Sequence, residues 1–142
     1  IDFKVHYSRN PKSHLHKAAK DFASTIPQRG KKEISLHPLL IACRNFVSFL
    51  QQTAPSAVAR DFENNLRKIE MSIAETKIGE KKSSLFAFLK AERDSEIHRR
   101  RDSHSYILRD PSGSIGLLWV RRSLAFQSDI YQQLLDGSTP KH

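Results

Sequence analysis

Three polar residues, Asp61, Asn65 and Lys68, are spaced i, i+4, i+7 in a stretch whose apolar residues recur at helical intervals. At about 100° per residue they fall within about 60° of one another on one helix face. The apolar stripe of the same segment (Val58, Phe62, Leu66, Ile69 and Ile73) lies about 90° round, so the polar row borders the core. An acceptor, an amide that both donates and accepts, and a cation in one row can read several hydroxyls of one sugar ring. An ordinary solvated helix face with an Asp–Lys pair has the same spacing. Trp119 shares a helix face with Ile115, Phe126 and Ile130, which predicts a partly buried ring whose N–H needs a partner. An indole face with one polar handle suits stacking on a sugar, although a core tryptophan fits the pattern too.

Other chemistries find less support. His14 and His16 are i, i+2 and do not share a helix face, and a polar stretch separates His98 from His104. The seven histidines are therefore expected at the surface, with no metal site. No Ser–His–acid order, phosphate-cradling glycine loop or pair of buried carboxylates stands out, which points away from an enzyme. The single cysteine, Cys43, excludes an internal disulfide and a Cys-rich zinc site.

Four segments must position the candidate residues. Residues 34–53 carry Leu36, Leu39, Leu40, Cys43, Phe46, Val47 and Leu50 as one stripe, with Ser35 available as a cap and Pro38 in the first turn. A second helix is expected over 56–78, between Pro55 and Gly79. A third is expected over 83–103, apolar at first and then charged through Arg101. After the Asp110-Pro111-Ser112-Gly113 turn, a fourth helix over 114–135 is apolar nearly all round, which predicts burial on every side. Upstream, residues 12–26 form a short amphipathic helix within an arm, with Leu15, Ala18, Ala19, Phe22 and Ile26 at helical spacing.

The 142 residues allow one domain with a modest core, at 38% hydrophobic content. No apolar run approaches the ~20 residues needed to span a bilayer. A net charge of +9 calls for a partner such as an anionic membrane, nucleic acid or a large assembly. The charge gathers in the first 32 residues and at Arg99, Arg100 and Arg101. The basic residues lack the interleaved aromatics of a base-stacking platform, so nucleic acid is the weaker choice. A basic amphipathic arm suits an anionic membrane surface.

The stretch Ala59-Arg60-Asp61-Phe62-Glu63-Asn64-Asn65-Leu66-Arg67-Lys68-Ile69 is similar to the headgroup motif of glycolipid transfer proteins. Further on, Gly116-Leu117-Leu118-Trp119-Val120-Arg121-Arg122-Ser123-Leu124 resembles that family's tryptophan helix, and the helix from Pro38 to Leu50 lies at the usual distance upstream. The resemblance covers roughly residues 34–137. It implies an all-α, two-layer helical sandwich that takes lipid chains into an apolar pocket, without cofactor or metal. Asp61, Asn65 and Lys68 would then hydrogen-bond the first sugar and the amide region of a glycosphingolipid, with Trp119 as a platform beneath the sugar. In the branch that carries ceramide phosphate, a cation usually replaces the tryptophan. Trp119 therefore points to sugar, while Arg121 and Arg122 offer an auxiliary contact to phosphate or membrane.

Family members continue beyond the tryptophan helix, adding helices and a lipid-contacting histidine that none of the histidines here matches. The expected organisation is thus a basic arm over 1–33 and a C-terminally incomplete domain over 34–142. Two functions follow. One is a cytoplasmic, membrane-peripheral protein that binds or transfers a glycosphingolipid. The other is a non-transferring structural subunit of a large, mitochondrial and membrane-associated assembly, with protein partners covering helix 114–135. A basic chain opening on Ile1 rather than methionine suits the second.

Overall fold

The computed structural model describes residues 11–27, 30 and 33–137, and its side-chain detail begins at Leu15. Much of the basic arm, including Lys4, Arg9, Arg29, Lys31 and Lys32, lies outside the described residues. Helical periodicity produced helices close to where it was read. They are α1 (Pro11–Ala23), α2 (Leu36–Thr53), α3 (Ser56–Thr76), α4 (Leu85–Asp94) and α5 (Gly113–Asp136).

The stripe on α2 is buried as its spacing demands, with Leu36, Leu40, Cys43, Phe46 and Leu50 all inside. Ser35 precedes it but forms no side-chain cap. Its backbone instead pairs with Ser84 in an antiparallel bridge. The Leu36 N–H donates to the Ser83 carbonyl at 3.0 Å, and the Leu85 N–H donates to Ile34 at 2.8 Å. Orphan donors at both helix starts are thus satisfied by strand-like pairing, and the entries to α2 and α4 are tied together. The arm's helix α1 packs on α2, with Ala18 buried and Phe22 edge-on to Phe46 at 5.7 Å. Phe46 also meets Phe49 and Phe62, and Phe49 meets Tyr131 of α5 at 5.9 Å. This aromatic cluster joins α1 and α2 to the pair formed by α3 and α5.

Two of the expected helices differ from their sequence pattern. The third helix does not continue to residue 103: α4 stops at Asp94, and Glu96 takes a left-handed φ of 61°. The Ser95 hydroxyl donates back to the Glu92 carbonyl at 2.6 Å. Beyond it, β1 (Arg99–Arg100) pairs antiparallel with β2 (Tyr106–Ile107). The hairpin turn is closed by Asp102, whose carboxylate accepts from the His104 N–H and the Ser105 hydroxyl, each at 2.8 Å. Nor is α5 buried on every side. Trp119, Phe126, Leu134 and Leu135 are 44%, 62%, 73% and 62% exposed. One face of α5 meets α3 and another meets α2. Among the described residues, nothing covers the rest.

Candidate functional site

The approach of α5 to α3 is set by Gly116. A Cβ built there would lie 2.5 Å from the Asn65 carbonyl oxygen, 2.9 Å from Ile69 Cγ1 and 3.2 Å from Lys68 Cβ. Only a residue without a side chain allows the two backbones this close. The helices run antiparallel. Gly116 faces the middle of α3, whereas Ser123, Phe126 and Gln127 share a cleft of about 310 Å³ with the earlier residues Val58 and Asp61.

This geometry sorts the candidate residues. Counted from Gly116 at about 100° per residue, Trp119 and Phe126 stand about 60–80° to one side of the contact line. Counted from Asn65, Asp61 and Lys68 stand about 40–60° to that same side. Tyr131 and Phe62 fall on the opposite side, where α2 packs. Asp61, Lys68 and Trp119 therefore share one edge of the α3–α5 pair, turned away from the aromatic cluster.

Asn65 does not share that open edge. It is 6% exposed beneath α5, and its amide donates to the Asp61 carbonyl at 3.0 Å. The Asp61 carboxylate is exposed. Lys68 is part-buried, and its Nζ lies 2.8 Å from Asp110 Oδ1 in the turn before α5. The Arg122 guanidinium sits 4.8 Å over the Trp119 ring, a cation–π contact that occupies one indole face, and the residue as a whole is 44% exposed. Arg121 is exposed on α5.

A buried carboxylate, which sequence reasoning missed, holds this arrangement. Glu92 of α4 is fully buried. Its Oε2 accepts from the Gly113 N–H at 2.6 Å and from the Ser72 hydroxyl. Its Oε1 accepts from the Ser114 N–H at 2.8 Å and the Ser114 hydroxyl, with His98 Nε2 at 2.9 Å. The anion thus caps the start of a 24-residue helix, where unpaired N–H groups and the helix dipole favour negative charge. Burial alone would raise the Glu92 pKa, but the hydroxyl and backbone donors of Ser114, Ser72 and Gly113 outweigh it and hold the value below the usual 4.5.

His98 was expected at the surface and is instead 9% exposed. Its Nδ1 accepts from the Arg109 N–H at 3.1 Å, which leaves Nε2 as the nitrogen that donates to Glu92. The signal in the sequence was position: Glu92 follows Phe88 by four residues and so continues the apolar face of α4. Where Phe88 and Glu92 meet α5, Gly113 again leaves no room for a side chain, since a Cβ would lie 2.3 Å from Phe88 Cζ.

Other features are structural. Arg44 bridges Glu70 at 2.7 Å and Glu80 at 2.8 Å, tying α2 to α3 and to the short turn of 3-10 helix at Glu80–Lys82. Burial lifts the Cys43 thiol to about 12. A cleft of about 710 Å³ is lined by polar residues such as Glu33, Lys81, Ser83 and Ser84, and includes none of the candidates. Among the described residues no group of His, Cys, Asp and Glu is placed to hold a metal, and no helix is long and apolar enough to cross a membrane.

The family profile described as Glycolipid transfer protein (GLTP) matches residues 34–142, well over half of the sequence. The chain belongs to the glycolipid transfer protein family. Searches of curated proteins and of solved structures each found no match. Glycolipid binding and transfer is the function of this family, and its members are transfer proteins rather than enzymes. Both the family relationship and the all-α fold expected from the two motifs hold. The glycolipid transfer protein helices in this chain are α2 through α5, and α1 lies upstream of the matched residues.

Proposed function

We propose that this chain binds a sphingolipid with a neutral sugar headgroup at the open edge of the α3–α5 pair. The observation that carries the reading is the Gly116 contact, which aligns Asp61, Lys68 and Trp119 along one edge away from α2. The Asp61 carboxylate accepts from sugar hydroxyls, and Lys68 donates to the next oxygens. Lys68 can leave Asp110 at little cost, because Asp110 is exposed and an ion pair open to solvent on one side contributes about 1 kcal/mol. Asn65, buried beneath α5, makes no contact with the headgroup and instead fixes the turn of α3 between them through its bond to the Asp61 carbonyl. The exposed part of the Trp119 ring supports the sugar. Buried lipid chains supply most of the affinity, at ~0.8 kcal/mol per methylene, and the headgroup contacts choose the lipid. In this reading the protein works in the cytoplasm, peripheral to membranes.

The test is Asp61→Val. Trp119 is the only tryptophan, so its fluorescence reports titration with a monoglycosylceramide without interference. Losing a charged hydrogen bond costs ~1.5–3 kcal/mol, so affinity should fall at least tenfold while the unfolding midpoint barely moves. Equal glycolipid uptake by both proteins refutes the site.

A second reading, a non-transferring structural subunit of a mitochondrial assembly, is favoured by one observation. Phe126, Leu134 and Leu135 stand exposed along α5, and apolar surface of that kind suits a protein partner. It predicts that the purified chain takes up no glycolipid and associates with rising concentration in the ultracentrifuge.

A further inference from the structure

The hairpin that replaces the expected end of the third helix has a composition of its own. Residues 97–109 contain four arginines (Arg99, Arg100, Arg101 and Arg109) and one carboxylate, Asp102. Asp102 is occupied, because both its oxygens close the turn. Arg100 Nε donates to the Asp102 carbonyl, and no ion pair neutralises Arg99, Arg101 or Arg109 among the described residues. The register sets Arg99 opposite Ile107 and Arg100 opposite Tyr106. Successive residues of a strand point to opposite faces, so each face presents one arginine beside one large apolar side chain. Tyr106 and Ile107 are 43% and 48% exposed.

We propose that this hairpin is a docking element for an anionic lipid surface. Arginine stems can lie along apolar surface while the guanidinium groups reach lipid phosphates. Tyr106 suits the headgroup level, with an apolar ring and a polar tip, and Ile107 suits the acyl boundary. A nucleic acid fits less well, since the hairpin has one aromatic residue and no row of stacking faces. The hairpin is anchored at its root by His98, which is buried against Glu92 and bonded to the Arg109 N–H. Arg109 and Ile97 line a cleft of about 200 Å³ together with Lys68. Docking would therefore bring the Lys68 end of the headgroup edge to the membrane. The choice of a lipid partner rests on the proposed function, whereas the docking surface does not.

The experiment uses the full chain and sedimentation with phosphatidylcholine vesicles, with and without phosphatidylserine, free of glycolipid. Wild type should bind only the anionic vesicles and be released by salt. Each basic residue near such a surface contributes roughly fivefold, so Arg99→Gln/Arg100→Gln/Arg101→Gln should weaken binding roughly a hundredfold. Removing the same charge from α1 and the far end of α3, by Lys17→Gln/Lys20→Gln/Arg60→Gln, should cost only a few-fold. Tyr106→Ser/Ile107→Ser should keep the attraction at low salt but be released at a lower salt concentration than wild type. Far-UV circular dichroism checks that each variant keeps its helices. Equal weakening by both charge triples would show attraction to net charge alone and overturn the proposal. So would unchanged vesicle binding by the hairpin triple, or a loss confined to single-stranded RNA. A chain that docks but takes up no glycolipid defeats the headgroup site and leaves the hairpin standing.

Discussion

Replacing Glu92 with glutamine keeps the shape of the side chain and removes the charge on which α3, α4 and α5 converge. The carboxylate accepts from Gly113 N–H, Ser114 N–H, both serine hydroxyls and His98. A hydroxyl can turn to accept from the new amide, but a backbone N–H cannot. With the amide nitrogen on the Oε2 side, Gly113 N–H faces another donor. With the amide reversed, Ser114 N–H and His98 do. Removing one partner from a buried charge site costs about 3–5 kcal/mol, and since glutamine keeps one acceptor we expect about 3 kcal/mol. Urea unfolding followed by circular dichroism measures this, and Trp119 fluorescence reports whether α5 has shifted. The dependence on pH sharpens the test. The folded-state pKa of Glu92 lies below its ordinary 4.5, so the charge stabilises the protein above that value. That contribution drains away as pH falls through the folded value, because the folded state must then take up a proton it holds weakly. The gap between wild type and variant should be full at neutral pH and should narrow below pH 4.5. A gap smaller than about 1 kcal/mol at neutral pH, typical of a surface change, would refute the role assigned to Glu92.

Gly116→Ala should destabilise by about 1–3 kcal/mol and weaken glycolipid binding as well, because the added methyl meets the Asn65 carbonyl and pushes α5 off α3. Denaturation and the fluorescence titration read the two effects; a stable variant with full binding would show that the close approach is not required. Cys43, buried and with its pKa raised to about 12, should resist a thiol reagent at pH 8 in the folded protein and react fully in urea. Rapid labelling of the native chain would show that α2 opens readily.

Periodic apolar residues located α1, α2, α3 and α5 in the sequence to within a few residues, because a helix that must bury one face writes that face at three- and four-residue intervals. The spacing of Asp61 and Lys68, and the tryptophan motif further on, also stood in the sequence, and with them the family. What the sequence left undecided depended on contacts between distant segments. The end of α4 at Asp94 carries no glycine or proline. It follows from Glu92 reaching the N-terminus of α5 and His98 folding back onto it, partners that local pattern does not record. The same holds for Asn65, whose helical position matches its neighbours but which lies buried because Gly116 admits α5 directly above it. Sequence alone determined which residues prefer a helix and which face of it is apolar, since both are local properties of the chain. Tertiary structure alone decided which apolar faces were covered and which carboxylate was buried, because burial is set by what packs against a residue rather than by the residue itself.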